Sequence, residues 1–164
     1  MAVIVQLRTP TRDECQLVRT WRNAPDVLPM LRTGVKTEAE QDDFYRHCVI
    51  NPQSPHRYYA LTGLIDQGFL GLGGLTYITC GEGEISLILA PGLRHIGLGR
   101  FAVDALLAEA FGPLGLRRVL GECYATNPAW TFWERQLART DCDVFAWLDE
   151  KTDSLHWRWT KRSA

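Results

Sequence analysis

No apolar run in this 164-residue chain approaches the ~20 residues that a membrane-crossing helix needs. The opening stretch, MAVIVQLRTPTRDE, turns polar after a short apolar start and does not read as a signal peptide. An excess of charge of one sign is missing too. The net charge of −1 gives no overall reason to expect a nucleic-acid or membrane partner, and only a local basic patch is left open. Cysteine pairs are absent: Cys15, Cys48, Cys80, Cys123 and Cys142 are odd in number, widely spaced and without a Cys-x-x-Cys. That pattern argues against a disulfide framework and fits free thiols in a reducing, cytoplasmic setting. The four histidines, His47, His56, His95 and His156, show no ligand spacing, so no metal is expected. There is no internal repeat, low-complexity tract or long linker. With 46% hydrophobic and 23% charged residues, the chain reads as one globular domain over residues 1–164, large enough to bury a core without staples.

What is present is an alternation of strand and helix patterns. Ala2–Leu7 reads as a strand. Asp13–Asn23 reads as a helix with Leu17, Val18 and Trp21 on one face, interrupted by Pro25 and Pro29. Thr37, with Glu40 three residues on, is a capping-box start for a helix to about Val49. Strands follow at Arg57–Thr62, Gly68–Thr79 and Glu84–Leu89, the last two joined by a turn at Gly81–Gly83. Val103, Leu106, Leu107, Ala110 and Phe111 make a helical stripe from about Gly99 to Phe111, which Gly112-Pro113 ends. Arg118–Tyr124 is a strand. A helix from Pro128 to Leu137 has Asn127 as its expected cap. Val144–Leu148 and Leu155–Thr160 form a closing hairpin. The order β-α-α-β-β-β-α-β-α-β-β is that of a mixed α/β sheet.

The stretch Glu84-Ile85-Ser86-Leu87-Ile88-Leu89-Ala90-Pro91-Gly92-Leu93-Arg94-His95-Ile96-Gly97-Leu98-Gly99-Arg100 carries the chemistry. A buried strand meets a proline stop, then an Arg-x-x-Gly-x-Gly turn, then an amphipathic helix. Glycines admit a ligand close to the backbone. A helix start offers unpaired N–H groups and partial positive charge. Together they suit a phosphate or pyrophosphate, with Arg94 and Arg100 adding charge-assisted contacts. The absence of Gly-Lys-Ser/Thr excludes a P-loop, and the three-glycine dinucleotide spacing is missing as well.

On these residues the chain resembles the GCN5-related N-acetyltransferase (GNAT) superfamily, and within it the branch of ribosomal-protein N-terminal and amino-sugar acetyltransferases. The likeness runs through Leu-Arg-Thr-Pro-Thr, Trp21-Arg22-Asn23 with Pro25 and Val27, Phe69-Leu70-Gly71, Pro91-x-x-Arg94-x-x-Gly97-x-Gly99, and Gly121-Glu122-Cys123-Tyr124-x-x-Asn127-Pro128-Ala129. It implies a mostly antiparallel seven-stranded sheet with four helices, and acetyl-CoA as co-substrate. Leu89 would meet the thioester end. Arg94, His95, Ile96, Gly97, Leu98 and Gly99, with Arg100 beside them, would hold the pyrophosphate. Asn127 would contact the pantetheine arm, and Glu84 would be the catalytic or substrate-binding carboxylate.

The chemistry agrees with those positions. An ammonium must lose a proton before it attacks a thioester, and a carboxylate or a water it holds can take it. A splayed strand end supplies N–H donors to the oxyanion. The departing thiolate then needs a proton, for which Tyr124, at the end of its strand, is the candidate. Glu82 could replace Glu84. Trp133 stands near the family's usual tyrosine position, but an indole N–H is too weak an acid for that task. Trp21, Arg22 and Asn23 could line an acceptor site, and Trp157 and Trp159 could form a stacking site for a base or sugar. Cys123 reads as an inert buried thiol. The acceptor would be a primary amine: a small amine, an amino sugar, a protein N-terminus or an amine on a modified nucleobase. The chain would act as a monomer or homodimer. The competing reading is a non-catalytic acyl-CoA-binding module.

Overall fold

Thr11 and Thr37 each begin a helix by the same device. The hydroxyl accepts the N–H of Glu14 or Glu40, and that glutamate returns its carboxylate to the threonine N–H. In this computed structural model, which describes residues 5–31, 33–63 and 68–162, the caps open α1 (Arg12–Arg22) and α2 (Glu38–Phe44). The other elements are β1 (Val5–Arg8), β2 (Arg57–Gly63), β3 (Phe69–Thr79), β4 (Glu82–Leu89), α3 (Leu98–Phe111), β5 (Arg118–Tyr124), α4 (Trp130–Gln136), β6 (Cys142–Asp149) and β7 (Ser154–Lys161). The element order is the expected one. Among the described residues no helix is long and apolar enough to cross a membrane, and no group of three or more His, Cys, Asp or Glu could hold a metal ion.

The strands form one sheet in the order β1-β2-β3-β4-β5-β7-β6. Neighbours are antiparallel except β4 and β5, which run parallel. One face packs on α3, which buries Val103, Leu106, Leu107 and Ala110 against Leu75, Ile85 and Val119. The same core continues under β5 and β7 as a tryptophan stack. Trp133 of α4 lies 4.8 Å from Trp157, and Trp157 lies 5.6 Å from Trp159. The other face meets α1 and α2 on the β2–β3 side, where Phe44 stands edge-to-face on Tyr58 at 4.7 Å. At Gly73-Gly74 of β3 neighbouring side chains occupy the space that a side chain would take. A methyl at Gly73 would come within 2.9 Å of Leu106, and one at Gly74 within 2.5 Å of the Ser86 hydroxyl.

Several boundaries differ from the sequence reading. Residues 2–4 of the expected first strand lie outside the described residues, and the strand continues one residue further, to Arg8. β3 and β4 are joined by Cys80-Gly81, with φ of 49° and 79°. That pair of left-handed residues fits a two-residue hairpin turn, so Glu82 and Gly83, expected in the turn, fall inside β4. The helix expected over Thr37–Val49 breaks after Phe44 into a π-helical turn, Tyr45–Val49, where the Ile50 N–H reaches the Tyr45 carbonyl at 3.1 Å. Apolar spacing reports a face and not a hydrogen-bond register. α4 begins at Trp130 because Asn127 spends its side chain on a turn, accepting the Ala129 N–H at 2.9 Å. Asn127 is therefore not the helix cap. The closing hairpin is longer than expected at both strands.

Gly121 of β5 lies directly under the Trp157 indole, where a Cβ would fall 2.1 Å from Cζ2. Gly121→Val should therefore lower stability by about 3 kcal/mol, a fall of about 6–12 °C in the melting midpoint. Thermal denaturation followed by circular dichroism checks this; an unchanged midpoint would mean that the indole does not rest on this glycine.

Candidate active site

β4 and β5 pair at three positions: Glu82 with Arg118, Gly83 with Val119 and Glu84 with Leu120. Beyond Glu84 the pairing stops and a gap opens between the strands. The Ala90 N–H bonds to the Leu70 carbonyl of β3 at 2.9 Å. By alternation the backbone groups of Leu87 and Leu89 then face away from β3, into the gap. There the Leu89 carbonyl accepts a hydrogen bond from Arg94 Nε at 3.3 Å.

The loop after β4 makes a short 3-10 turn at Pro91–Leu93 and then takes two left-handed residues, His95 (φ 64°) and Gly97 (φ 87°). α3 starts there without a side-chain cap, so its first N–H groups have no partner of the kind that α1 and α2 possess. The two glycines serve different ends. Nothing lies within 4 Å of a Cβ built on Gly97, whereas one on Gly99 would strike the Phe132 ring at 2.8 Å. Gly97 keeps the approach to the helix start open, and Gly99 lets α4 pack on α3. His95, Ile96 and Arg100 are exposed and Leu98 is buried. Arg94 reaches back towards Asp26 at 3.9 Å. A concavity of about 340 Å³ beside α4 is lined by Ala125, Thr126, Asn127, Pro128, Trp130 and Thr131.

Glu84 is exposed on the face opposite α3. In-register pairing and alternation place Ser86, Tyr58, Leu120, Glu122 and Tyr124 on that face too. Glu82, the alternative carboxylate, is committed to Arg118 at 2.6 Å. Further along, His156 lies 3.5 Å from Glu122 and carries the Trp147 ring stacked on it at 5.3 Å. Sequence reasoning missed Tyr58, His156 and Trp147. Strand alternation was the available signal, but it needed the pairing of β5 with β7 to become usable. Burial pushes the Tyr58 phenol up to about 12.

The three residues at the end of α1 do different things. Trp21 stacks on Phe69 at 5.7 Å. Asn23 holds the backbone of Lys36 with two hydrogen bonds, its Nδ2 donating to the carbonyl at 2.7 Å and its Oδ1 accepting the N–H at 2.9 Å. Arg22 donates from Nη2 to the Thr33 hydroxyl at 3.0 Å, and its buried Nε has no partner. Trp157 and Trp159, expected as a possible stacking site, are 1% and 0% exposed and belong to the core. Their alternation on β7 turns them towards α4, and the exposed tryptophan is Trp147. Trp133, 8% exposed, is core as well. Cys123 is buried, which pushes its thiol up to about 11 and leaves it unreactive.

Comparison with known proteins bears on this geometry. The profile of the Acetyltransferase (GNAT) domain matches residues 5–131. No curated protein sequence matches the chain. Among solved structures, the spermidine N-acetyltransferase from Vibrio cholerae in complex with CoA and spermine is similar at a TM-score of 0.74 and 14% identity, over 94% of each chain. A spermidine/spermine N-acetyltransferase from Vibrio cholerae in complex with manganese ions gives 0.66 and 15%, over 95% of this chain and 91% of that one. A domain from Methanocaldococcus jannaschii gives 0.73 and 11%, over 96% and 98%. At such identities the structures speak for the fold, and the profile speaks for the family. The splayed β4–β5 pair and the uncapped helix start after it lie inside the matched region, and the protein belongs to the GNAT acetyltransferase family, an enzyme that uses acetyl-CoA as its acetyl donor.

Proposed function

We propose that the protein moves the acetyl group directly to a primary amine in a ternary complex, with Glu84 as the base. One observation carries this reading: Glu84 is the last β4 residue paired to β5, so its exposed carboxylate stands at the point where the gap opens. The acceptor classes suggested by the sequence resemblance are protein N-termini, amino sugars and other small amines, with amines on modified nucleobases as a further case. The spermidine enzymes of like fold add polyamines.

The residues present suit acetyl-CoA. The unpartnered N–H groups at the start of α3, the open space over Gly97, and the side chains of Arg94 and Arg100 would hold its pyrophosphate. The backbone of His95, Ile96 and Leu98 completes that loop. Leu87 and Leu89 present N–H groups at the open edge of β4 to the acyl oxygen, and Asn127, at the rim of the concavity, takes the amide arm. Acetyl-CoA supplies an acyl group that is already activated, so no covalent enzyme intermediate is required. Glu84 removes the proton that the ammonium must lose before it can attack. Tyr124, closing β5, is assigned to return a proton on the side of the departing sulfur.

Three outcomes follow. Gly97→Asp, which puts a carboxylate at the helix start, should weaken acetyl-CoA binding more than about tenfold in titration calorimetry. Equal affinity in the folded variant would remove the loop from the donor site. Glu84→Gln should lower kcat by about 10²–10⁴-fold in a thiol-release assay with near-normal donor affinity; wild-type turnover across pH would exclude Glu84 as the base. Trp133→Phe should cost about 1–2 kcal/mol of stability by loosening the tryptophan stack while kcat stays within about twofold. Loss of turnover in a folded Trp133→Phe protein would return that residue to the chemistry.

A further inference from the structure

Arg22 is a half-buried cation whose described surroundings hold no counter-charge. Its neighbours on the same helix are paired: Arg12 with Asp42, and Arg19 with Glu38 at 3.2 Å. Arg22 has the Thr33 hydroxyl on Nη2, and its solvent-inaccessible Nε has no partner. Among the described residues no carboxylate lies within ion-pair distance of it. The side chain that bears on it electrostatically is Tyr58, which is neutral at physiological pH because burial pushes it up to about 12. Removing a guanidinium from water without an anion is destabilising, and burial accordingly lowers the proton affinity of Arg22.

The position of this charge gives it a use. Tyr58 lies within electrostatic reach of both Arg22 and Glu84, and it packs beside Ser86 across Gly74. A cation and an anion therefore flank one tyrosine on the face where the amine has to arrive. Trp21, stacked on Phe69, and Asn23, clamped to Lys36, fix the chain on either side of Arg22. Nε is closed off from solvent, so the groups left to an acceptor are the terminal N–H groups that Thr33 does not use, whose planar edge a carboxylate fits.

We infer that Arg22 is a specificity-determining residue that pairs with a carboxylate on the acceptor, so that the acceptor is an amine bearing a carboxylate a few bonds from its nitrogen. The inference rests on the acetyl-transfer reading above, with the ammonium placed at Glu84. Two sources share this chemistry: free amino acids, and peptide N-termini with an acidic side chain in the first two positions.

The test uses the full chain, acetyl-CoA and matched acceptors: glutamate and leucine against their α-amides, and peptides beginning Ser-Glu against Ser-Gln. Thiol release should give a kcat/KM about 10–100-fold higher for the carboxylate member of whichever series is the source. In Arg22→Gln that preference should vanish through a raised KM, and Arg22→Lys, which keeps the charge but not the fork, should restore part of it. A second readout is independent of turnover. The preferred carboxylate amine should raise the melting midpoint of the wild type and not that of Arg22→Gln, which without ligand should melt no lower than wild type. Equal use of both members of each pair by the wild type, or a preference that survives in Arg22→Gln, would overturn the inference. If Arg22→Gln does not fold, the Lys variant carries the comparison. If none of these amines, nor spermidine, nor glucosamine, releases thiol, the acetyl-transfer reading fails, and the Arg22 assignment is then decided by the melting shift alone.

Discussion

β4 and β5 are held together at one end and kept apart at the other, and the rest of the molecule is arranged around that constraint. Each strand stays in register with its outer neighbour well past the point where the two separate. β4 is paired to β3 as far as Leu89 opposite Gly71, and β5 to β7 as far as Tyr124 opposite Ser154. Separation therefore leaves bare only the two edges that face the gap. On the core side, Ile85 is anchored in the α3 cluster while Trp157 and Trp133 fill the volume beneath Gly121. α3 lies beneath both strands, against Ile85 and Val119, and β5 rests in addition on α4 and the tryptophan stack, so closing the gap would mean moving that second packing over α3.

The treatment of helix starts follows the same division. α1 and α2 have their first N–H groups met by Thr11 and Thr37, each reinforced by a glutamate. α3, which begins where the loop leaves the gap, has Gly97 at that place and no side chain to do this. α1 and α2 are capped within the protein, and α3 keeps hydrogen-bonding capacity at the mouth of the site. The same contrast separates Arg12 and Arg19, whose charge is met by neighbouring carboxylates, from Arg22, which has none beside it among the described residues.

Much of this was readable in the sequence, for reasons that can be named. The stripe on α3, the Thr37–Glu40 capping box and the proline–glycine run after Leu89 are local signals, and the structure keeps each of them. What failed depended on information that sequence spacing does not hold. Cys80 sits in the left-handed region although its residue type gives no hint of it, so the hairpin turn was placed too late. Asn127 has two competing uses, helix cap and turn former, and the proline after it does not decide between them. Six tryptophans look alike in a linear reading. Trp157 and Trp159 alternate with His156 and Arg158, and only the packing of α4 reveals which set faces inward. Arg22 was legible only as one of three candidates for an acceptor segment, and its lack of a carboxylate partner among the described residues is a three-dimensional fact.

The glycine-rich centre of β3 has a consequence for anyone who would re-engineer the proposed acceptor face. Gly73 is filled from below by Leu106, and Gly74 from above by Ser86 and Tyr58, so the sheet at this point is little thicker than its own backbone. A side chain added at Gly73 would push on the core, and one added at Gly74 on Ser86 and Tyr58 across the opposite face. Libraries that randomise β3 should therefore return mostly insoluble protein. The productive positions are those that share the face of Glu84, such as Tyr58 on β2 and Ser86 on β4.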